Sequence, residues 1–324
     1  MICPSEFKAP WWLRNNHMQT IWAGKLRRRP RLNMEQKRLT TADDDFIDLV
    51  ITRDRGGAVV LVLHGLQGSI DSRYASGLLK ALSDNGYTAV LMHFRSCSGE
   101  LNNQPRLYHS GETTDALYVT NYIRRRFGAR RIFAIGFSLG GNVLLKLLGE
   151  QQTKTPFDAA VAVSVPMRLD LCAIRINQGF SKLYQYLLVK SMKQTVIRKF
   201  HAGQLRNCKI DMQAVKQSKT FWDFDNAFTA PMHGFKDVHD YYRRCSSRQF
   251  LKHIQTPTLI LHAADDPFIS KDAIPGDNEL SHHVRLEISP NGGHTGFVSG
   301  TWPWRMHYWT DQRVMAFLNQ YNPG

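Results

Sequence analysis

Arg131-Ile132-Phe133-Ala134-Ile135-Gly136-Phe137-Ser138-Leu139-Gly140-Gly141 is the stretch that decides how this chain folds. Residues 131–136 form an apolar run of strand length, and residues 139–148 carry an apolar helical pattern directly after it. Between them stands G-x-S-x-G, the spacing that holds a serine on a strained turn from the end of a strand into a helix. Gly136 and Gly140 take away side chains that would collide in that turn, so Ser138 is expected to stand exposed at its tip. A preceding strand and a following helix are the context this motif requires, and both are present.

Outward from this turn the same alternation repeats. Strand-like runs at 58–63, 87–93, 158–163, 258–262 and 284–288 come with helical patterns at 71–85 and 112–127, and a closing helix is expected over 304–321. Strands alternating with helices imply an α/β fold: a mostly parallel central sheet with helices on both faces. Residues 37–39 and 46–51, joined through Asp43-Asp44-Asp45, read as an antiparallel hairpin on the sheet edge. Residues 166–256 are helical and basic and contain no strong strand. The expected organisation is therefore an N-terminal arm and the start of the edge hairpin over 1–45, and a core built from 46–165 and 257–324. The helical segment 166–256 is a cap inserted into that core.

A serine hydroxyl is a poor nucleophile without a base, and the base needs an acid to orient it. On a strand-turn-helix of this kind the chain order is serine, then acid, then histidine. The run 258–262 leads into Ala263-Ala264-Asp265-Asp266-Pro267-Phe268, which offers two acids at a strand end. Asp266 is chosen as the orienting acid, and Asp265 is expected to cap the following turn. Ser289-Pro290-Asn291-Gly292-Gly293-His294 then places His294 on a glycine-rich loop behind the last strand. His64 and His262 end core strands, and His109, His233 and His239 fall outside the order. An oxyanion hole needs two backbone N–H groups. They are expected from Leu139, the residue after the serine, and from Leu66, in the loop His64-Gly65-Leu66-Gln67-Gly68.

At these residues the chain resembles the α/β-hydrolase superfamily. Within it, the chain is similar to the bacterial YheT-type hydrolases, a branch related to eukaryotic ABHD-type lipid esterases. The matching stretches are Asn16-His17-Met18-Gln19-Thr20-Ile21, the loop at 64–68, His93-Phe94-Arg95-Ser96-Cys97-Ser98-Gly99-Glu100 and the segment 108–115. They continue through 136–141, 262–268 and 291–294. The resemblance implies a serine-dependent carboxylic ester hydrolase with Ser138, Asp266 and His294 as its triad. Ser96 departs from the family's pattern, which more commonly has Gly after the Arg; the departure bears on that loop and on none of the three triad positions.

The chain has 324 residues and a formal charge of +15, and the excess has an address. Residues 1–42 hold nine Lys/Arg and two Glu, and residues 167–250 hold fifteen Lys/Arg and six Asp. Everything else is nearly neutral. Ordinary globular composition, with 43% hydrophobic and 21% charged residues, excludes a disordered or fibrous chain. No apolar run approaches the roughly 20 residues of a spanning helix. Arg27-Arg28-Arg29-Pro30-Arg31 lacks the interleaved aromatics or recognition helix of a nucleic-acid binder, so a solvated arm is expected and nucleic acid is not. Trp11, Trp12 and Trp22 either meet a membrane surface with those arginines or pack the arm onto the core. In the cap, an apolar cluster of Phe180, Tyr184, Tyr186, Leu187, Leu188 and Val189 beside Lys182, Lys190 and Lys193 either packs inward or frames access for acyl chains and anionic esters.

The expected partner is a small-molecule or lipid ester, short-chain or longer, with peripheral membrane contact as the open question. Hydrolysis through an acyl-enzyme leads; acyl transfer with the same triad and a non-catalytic binding role are the alternatives. No metal or organic cofactor is expected, because H-E-x-x-H, P-loop and G-x-G-x-x-G patterns are missing. Five scattered cysteines without a C-x-x-C pair, and no apolar signal core at residues 1–10, point to a reducing cytoplasm.

Overall fold

Nine strands form one sheet in the computed structural model, which describes residues 1–322. They are β1 (Ile2–Pro4), β2 (Met34–Thr40), β3 (Phe46–Thr52), β4 (Val59–Leu63), β5 (Thr88–Met92), β6 (Ile132–Phe137), β7 (Ala159–Val163), β8 (Thr258–Ala263) and β9 (Val284–Ser289). The spatial order is β1-β9-β8-β7-β6-β4-β5-β3-β2. Pairing is parallel from β1 across to β5 and antiparallel where β3 meets β5 and β2. A short pair, β10 (Val298–Ser299) and β11 (His307–Tyr308), lies apart. The helices are α1 (Asn16–Ile21), α2 (Arg73–Asp84), α3 (Thr114–Phe127), α4 (Leu139–Gln151), α5 (Leu169–Ile176), α6 (Ser181–His201), α7 (Met212–Gln217), α8 (Phe221–Phe224), α9 (Ala230–Met232), α10 (Val238–Cys245) and α11 (Trp309–Asn319).

The central strands are apolar on both faces because both faces are covered. Every residue of β4, β5, β6 and β7 is buried. Successive side chains alternate between two cores. Leu61, Val90 and Ala134 pack with Val119 of α3 and Leu144 of α4, while Val60, Leu91 and Phe133 pack with Leu78 of α2 and Val314 of α11. The antiparallel hairpin of β2 and β3 sits at one edge of the sheet, where the sequence predicts it. Helices α5 to α10 occupy the chain between β7 and β8, two neighbouring strands, so they emerge from the end of the sheet where Ser138 stands.

Three local readings are revised. Residues 2–4 are a strand, paired in parallel with β9 at the sheet edge opposite the hairpin, with Ile2 beside Leu286. Three residues are too few to show a period, so only the partner strand reveals them. The last helix starts at Trp309 and not at 304; residues 303–305 form a 3-10 turn, and β11 then pairs with β10. Trp304 and Tyr308 mimic a helical i, i+4 pair, but Trp304 faces solvent. Arg27 is not part of a solvated arm. It is buried, paired with Asp311 and seated 3.9 Å from the centre of the Tyr308 ring.

Candidate active site

Ser138 sits between β6 and α4 with φ 50° and ψ −119°, a left-handed backbone that a non-glycine residue adopts at a cost. Its neighbours are packed to hold it there. A β-carbon on Gly136 would come within 2.5 Å of the Gly140 carbonyl oxygen, and one on Gly140 within 2.5 Å of the Leu63 and His64 oxygens. The glycines are thus required by close approach of backbone to backbone, as the motif implies.

The serine's partners come from two later loops. His294 Nε2 lies 3.0 Å from Ser138 Oγ, and His294 Nδ1 lies 2.8 Å from Asp266 Oδ2. With Nδ1–H donating to the carboxylate, Nε2 is the acceptor that faces the serine hydroxyl. Asp266 and His294 are both buried, and the other Asp266 oxygen accepts the Phe268 N–H at 2.8 Å. Asp265 turns elsewhere. Its carboxylate accepts the Gly293 N–H at 2.9 Å and lies 3.4 Å from Asn291 Nδ2, so it ties down the loop that carries His294 and does not cap the following turn. Burial raises its pKa.

The Leu66 loop shows why one amide is left over. Gly65 N–H donates to Tyr74 OH and Gln67 N–H to Tyr108 OH, each at 2.8 Å. The Leu66 N–H between them has no acceptor among the described residues, and neither has the Leu139 N–H at the start of α4. Both residues line the same cavity as Ser138. His64 is structural: its ring bonds Gly65 O and accepts the Phe94 N–H, and burial pushes its pKa down to about 3, so it stays neutral.

Several contributors escape a reading of the motifs. Thr20 of α1 accepts the His294 N–H at 2.9 Å, and Asn16 Nδ2 donates to the Asp265 carbonyl at 2.6 Å. Ser164, just past β7, accepts the Thr295 N–H. Phe268 stacks on the His294 ring with centroids 4.1 Å apart. Asn16 and Thr20 lie within a stretch that carries the family resemblance, but they stand more than 240 residues from the groups they hold.

A cavity of about 230 Å³ runs from Ser138 under the helices between β7 and β8. Leu169, Ala173 and Ile176 of α5, Leu188 and Met192 of α6, and Phe221, Phe224 and Phe228 make it largely apolar. One acid interrupts this lining. Asp225, in a π-helical turn after α8, accepts hydrogen bonds from Thr229 Oγ1 (2.6 Å) and Tyr242 OH (2.8 Å) and has no cationic partner among the described residues. Burial pushes its pKa up to about 6 from 3.8. The folded state therefore holds this proton more tightly than the unfolded chain. The associated stability is complete below pH 3.8 and is lost as pH rises through 6, a loss of roughly 3 kcal/mol. Asp225→Asn is expected to flatten the urea-unfolding midpoint between pH 4 and 7; a slope equal to that of the unmodified chain would refute this.

Comparison with known proteins follows the same lines. The alpha/beta hydrolase fold family matches residues 58–301. The protein YheT of Escherichia coli (strain K12) is 39% identical over 95% of this chain and 91% of its own length. Phospholipase ABHD3 of Mus musculus is 29% identical over 92% of this chain and 74% of its own. Among solved structures, the Pyrococcus furiosus esterase Pf2001 superposes with a TM-score of 0.58 at 16% identity, over 99% of this chain and 100% of that one. With a parallel sheet, a serine on the turn after its central strand and a family match over most of its length, the chain belongs to the alpha/beta hydrolase fold family.

Proposed function

We propose that this chain hydrolyses carboxylic esters with an apolar acyl or alkyl part, through an acyl-enzyme on Ser138. The observation that carries the reading is the unbroken hydrogen-bond chain from Ser138 through His294 to Asp266, opening into an apolar cavity beside two unengaged amides. Ser138 Oγ attacks the ester carbonyl carbon while His294 Nε2 takes its proton. The Asp266 carboxylate stabilises the imidazolium that results. Negative charge on the carbonyl oxygen is met by the Leu66 and Leu139 N–H groups, fixed beforehand by the two tyrosines and by the start of α4. His294 then protonates the leaving alcohol. Water, activated by the same histidine, releases the acid and restores Ser138.

The cavity supports a lipid-like substrate, since its Leu, Ile, Met and Phe lining offers an alkyl chain a transfer gain of about 0.8 kcal/mol per buried methylene. The mouse relative's description as a phospholipase points the same way.

A fluorophosphonate probe tests the reading directly. One covalent adduct is expected, on the tryptic peptide containing Ser138, and none on Ser138→Ala. A folded protein that takes no adduct would favour a binding role on the same fold and end the proposal.

A further inference from the structure

Two apolar surfaces of this chain lie uncovered, one of them joined to the site by aromatic contacts. The first is a tryptophan cluster: Trp11 packs edge-on against Trp302, which stacks on Trp304, each pair with centroids 5.5 Å apart. Trp304 is 77% exposed and Trp11 61%. Indoles gain most where one side is apolar and the other wet, so three left together in water mark a contact surface. Trp12 and Trp22 differ, packing on each other and on the buried Leu13 and Val298.

The second surface is α6. Its inner face buries Val189 and Val196 and gives Leu188 and Met192 to the cavity. Its outer face exposes Leu183, Tyr186 and Leu187, with Phe180 just before the helix. A helix apolar on both sides is expected inside a core or against lipid, and no part of the chain covers this one among the described residues. Aromatic contacts lead from it to the site: Phe180 and Tyr184 pack on His17, Tyr184 on Phe268, and Phe268 on His294.

Charge identifies the occupant. Residues 171–210 contain eight Lys/Arg and no Asp or Glu. Lys182 and Lys190, exposed beside the apolar face, make no ion pair among the described residues, and Arg14 and Arg305 stand exposed near the tryptophans. Exposed aromatics and leucines flanked by bases, without acids, match the boundary between headgroup and acyl chain of an anionic bilayer. No described helix is long and apolar enough to cross a membrane, so the contact is peripheral.

We infer that the outer face of α6 and the Trp11–Trp302–Trp304 cluster dock this chain on an anionic lipid surface, from which the site draws its ester. The inference rests on the ester-hydrolase reading only for what happens after docking.

Co-sedimentation of the full chain with phosphatidylcholine vesicles, with and without about 30 mol% phosphatidylglycerol, tests it. Binding is expected on the anionic vesicles and is expected to weaken with salt. Leu183→Glu/Leu187→Glu, and separately Trp302→Ala/Trp304→Ala, are each expected to lower the partition coefficient about tenfold or more. Both variants should keep turnover of a soluble short-chain ester while losing turnover of a vesicle-borne ester in proportion. Equal vesicle binding by parent and variants overturns the proposal, as does no binding by the parent. A dimer seen by ultracentrifugation and dissolved by the α6 variant, with no vesicle binding, overturns it in favour of a second copy on this face. A chain that binds anionic vesicles through these residues but hydrolyses neither ester keeps the docking surface and loses the ester-hydrolase reading.

Discussion

Ser138→Ala is expected to lower kcat on a soluble ester by roughly a millionfold, and His294→Ala by a similar factor, the size seen when a serine and its base act as a unit. The double variant should lose no more than either alone. A hydroxyl that cannot be deprotonated and a base with nothing to deprotonate disable the same step, so the two losses cannot add. Asp266→Asn is expected to cost roughly 10⁴-fold, because an amide at 2.8 Å from Nδ1 can hold the imidazole in the wrong tautomer. Asp265→Asn separates the adjacent acids. It loosens the Gly293 contact and leaves the His294 partner in place, so a loss of about tenfold is expected. Steady-state kinetics on a p-nitrophenyl ester checks all five variants, with active-site titration by the fluorophosphonate for those that keep Ser138. Comparable losses in the two Asp variants would overturn the division of labour between them.

The second large effect concerns folding. Arg95 is fully buried and satisfies three carboxylates at once. Its Nε and Nη2 grip Asp115 at 2.7 and 2.8 Å, and Nη1 reaches Asp45 and Asp43. Asp45 also accepts bonds from Asn102 Nδ2 and from the Phe46 and Asn103 amides. The guanidinium thereby clamps the β2–β3 turn, the loop after β5 and the start of α3 together. Arg95→Met keeps the bulk of the side chain, strands Asp45 as a buried charge without an ion-pair partner and leaves Asp115 only Arg106 at 3.8 Å. Destabilisation of about 3–5 kcal/mol is expected by urea denaturation. Adding Asp45→Asn and Asp115→Asn should recover part of it, since the cost lies in the unpaired carboxylates. Arg95→Lys should recover less than the parent, because one ammonium cannot span two bidentate partners. A loss below 1 kcal/mol in Arg95→Met would mean that the carboxylates are neutral or hydrated. Ser96, next in the chain, stands at φ 66° with its hydroxyl tied to Asn102, which is why this position suits glycine. It does not line the cavity.

What a sequence reveals here depends on how local the constraint is. The turn at Ser138 is legible because its strain must be relieved within three residues, by Gly136 and Gly140. The core strands are legible because burial on both faces demands unbroken apolar runs. Strand β1 is not, because a three-residue strand is defined only by the β9 residues it meets. The choice between Asp265 and Asp266 rests on two adjacent, chemically identical side chains. Their separate uses appear only once the 291–294 loop is folded against them.

By itself the sequence determined the α/β class, the serine's place at the end of a central strand, and the order in which acid and histidine follow. Those features follow from short-range sterics and from periodicity, which neighbouring residues express directly. Only the tertiary structure decided how α1 braces the histidine loop, that Asp225 enters an apolar cavity, and which tryptophans remain uncovered. Each of these depends on groups far apart in the chain meeting in space, and no local pattern encodes that meeting. The +15 charge illustrates both sides: its concentration in two segments is plain from the residues, whereas the pairing of Arg27 with Asp311 and the free outer face of α6 appear only on folding.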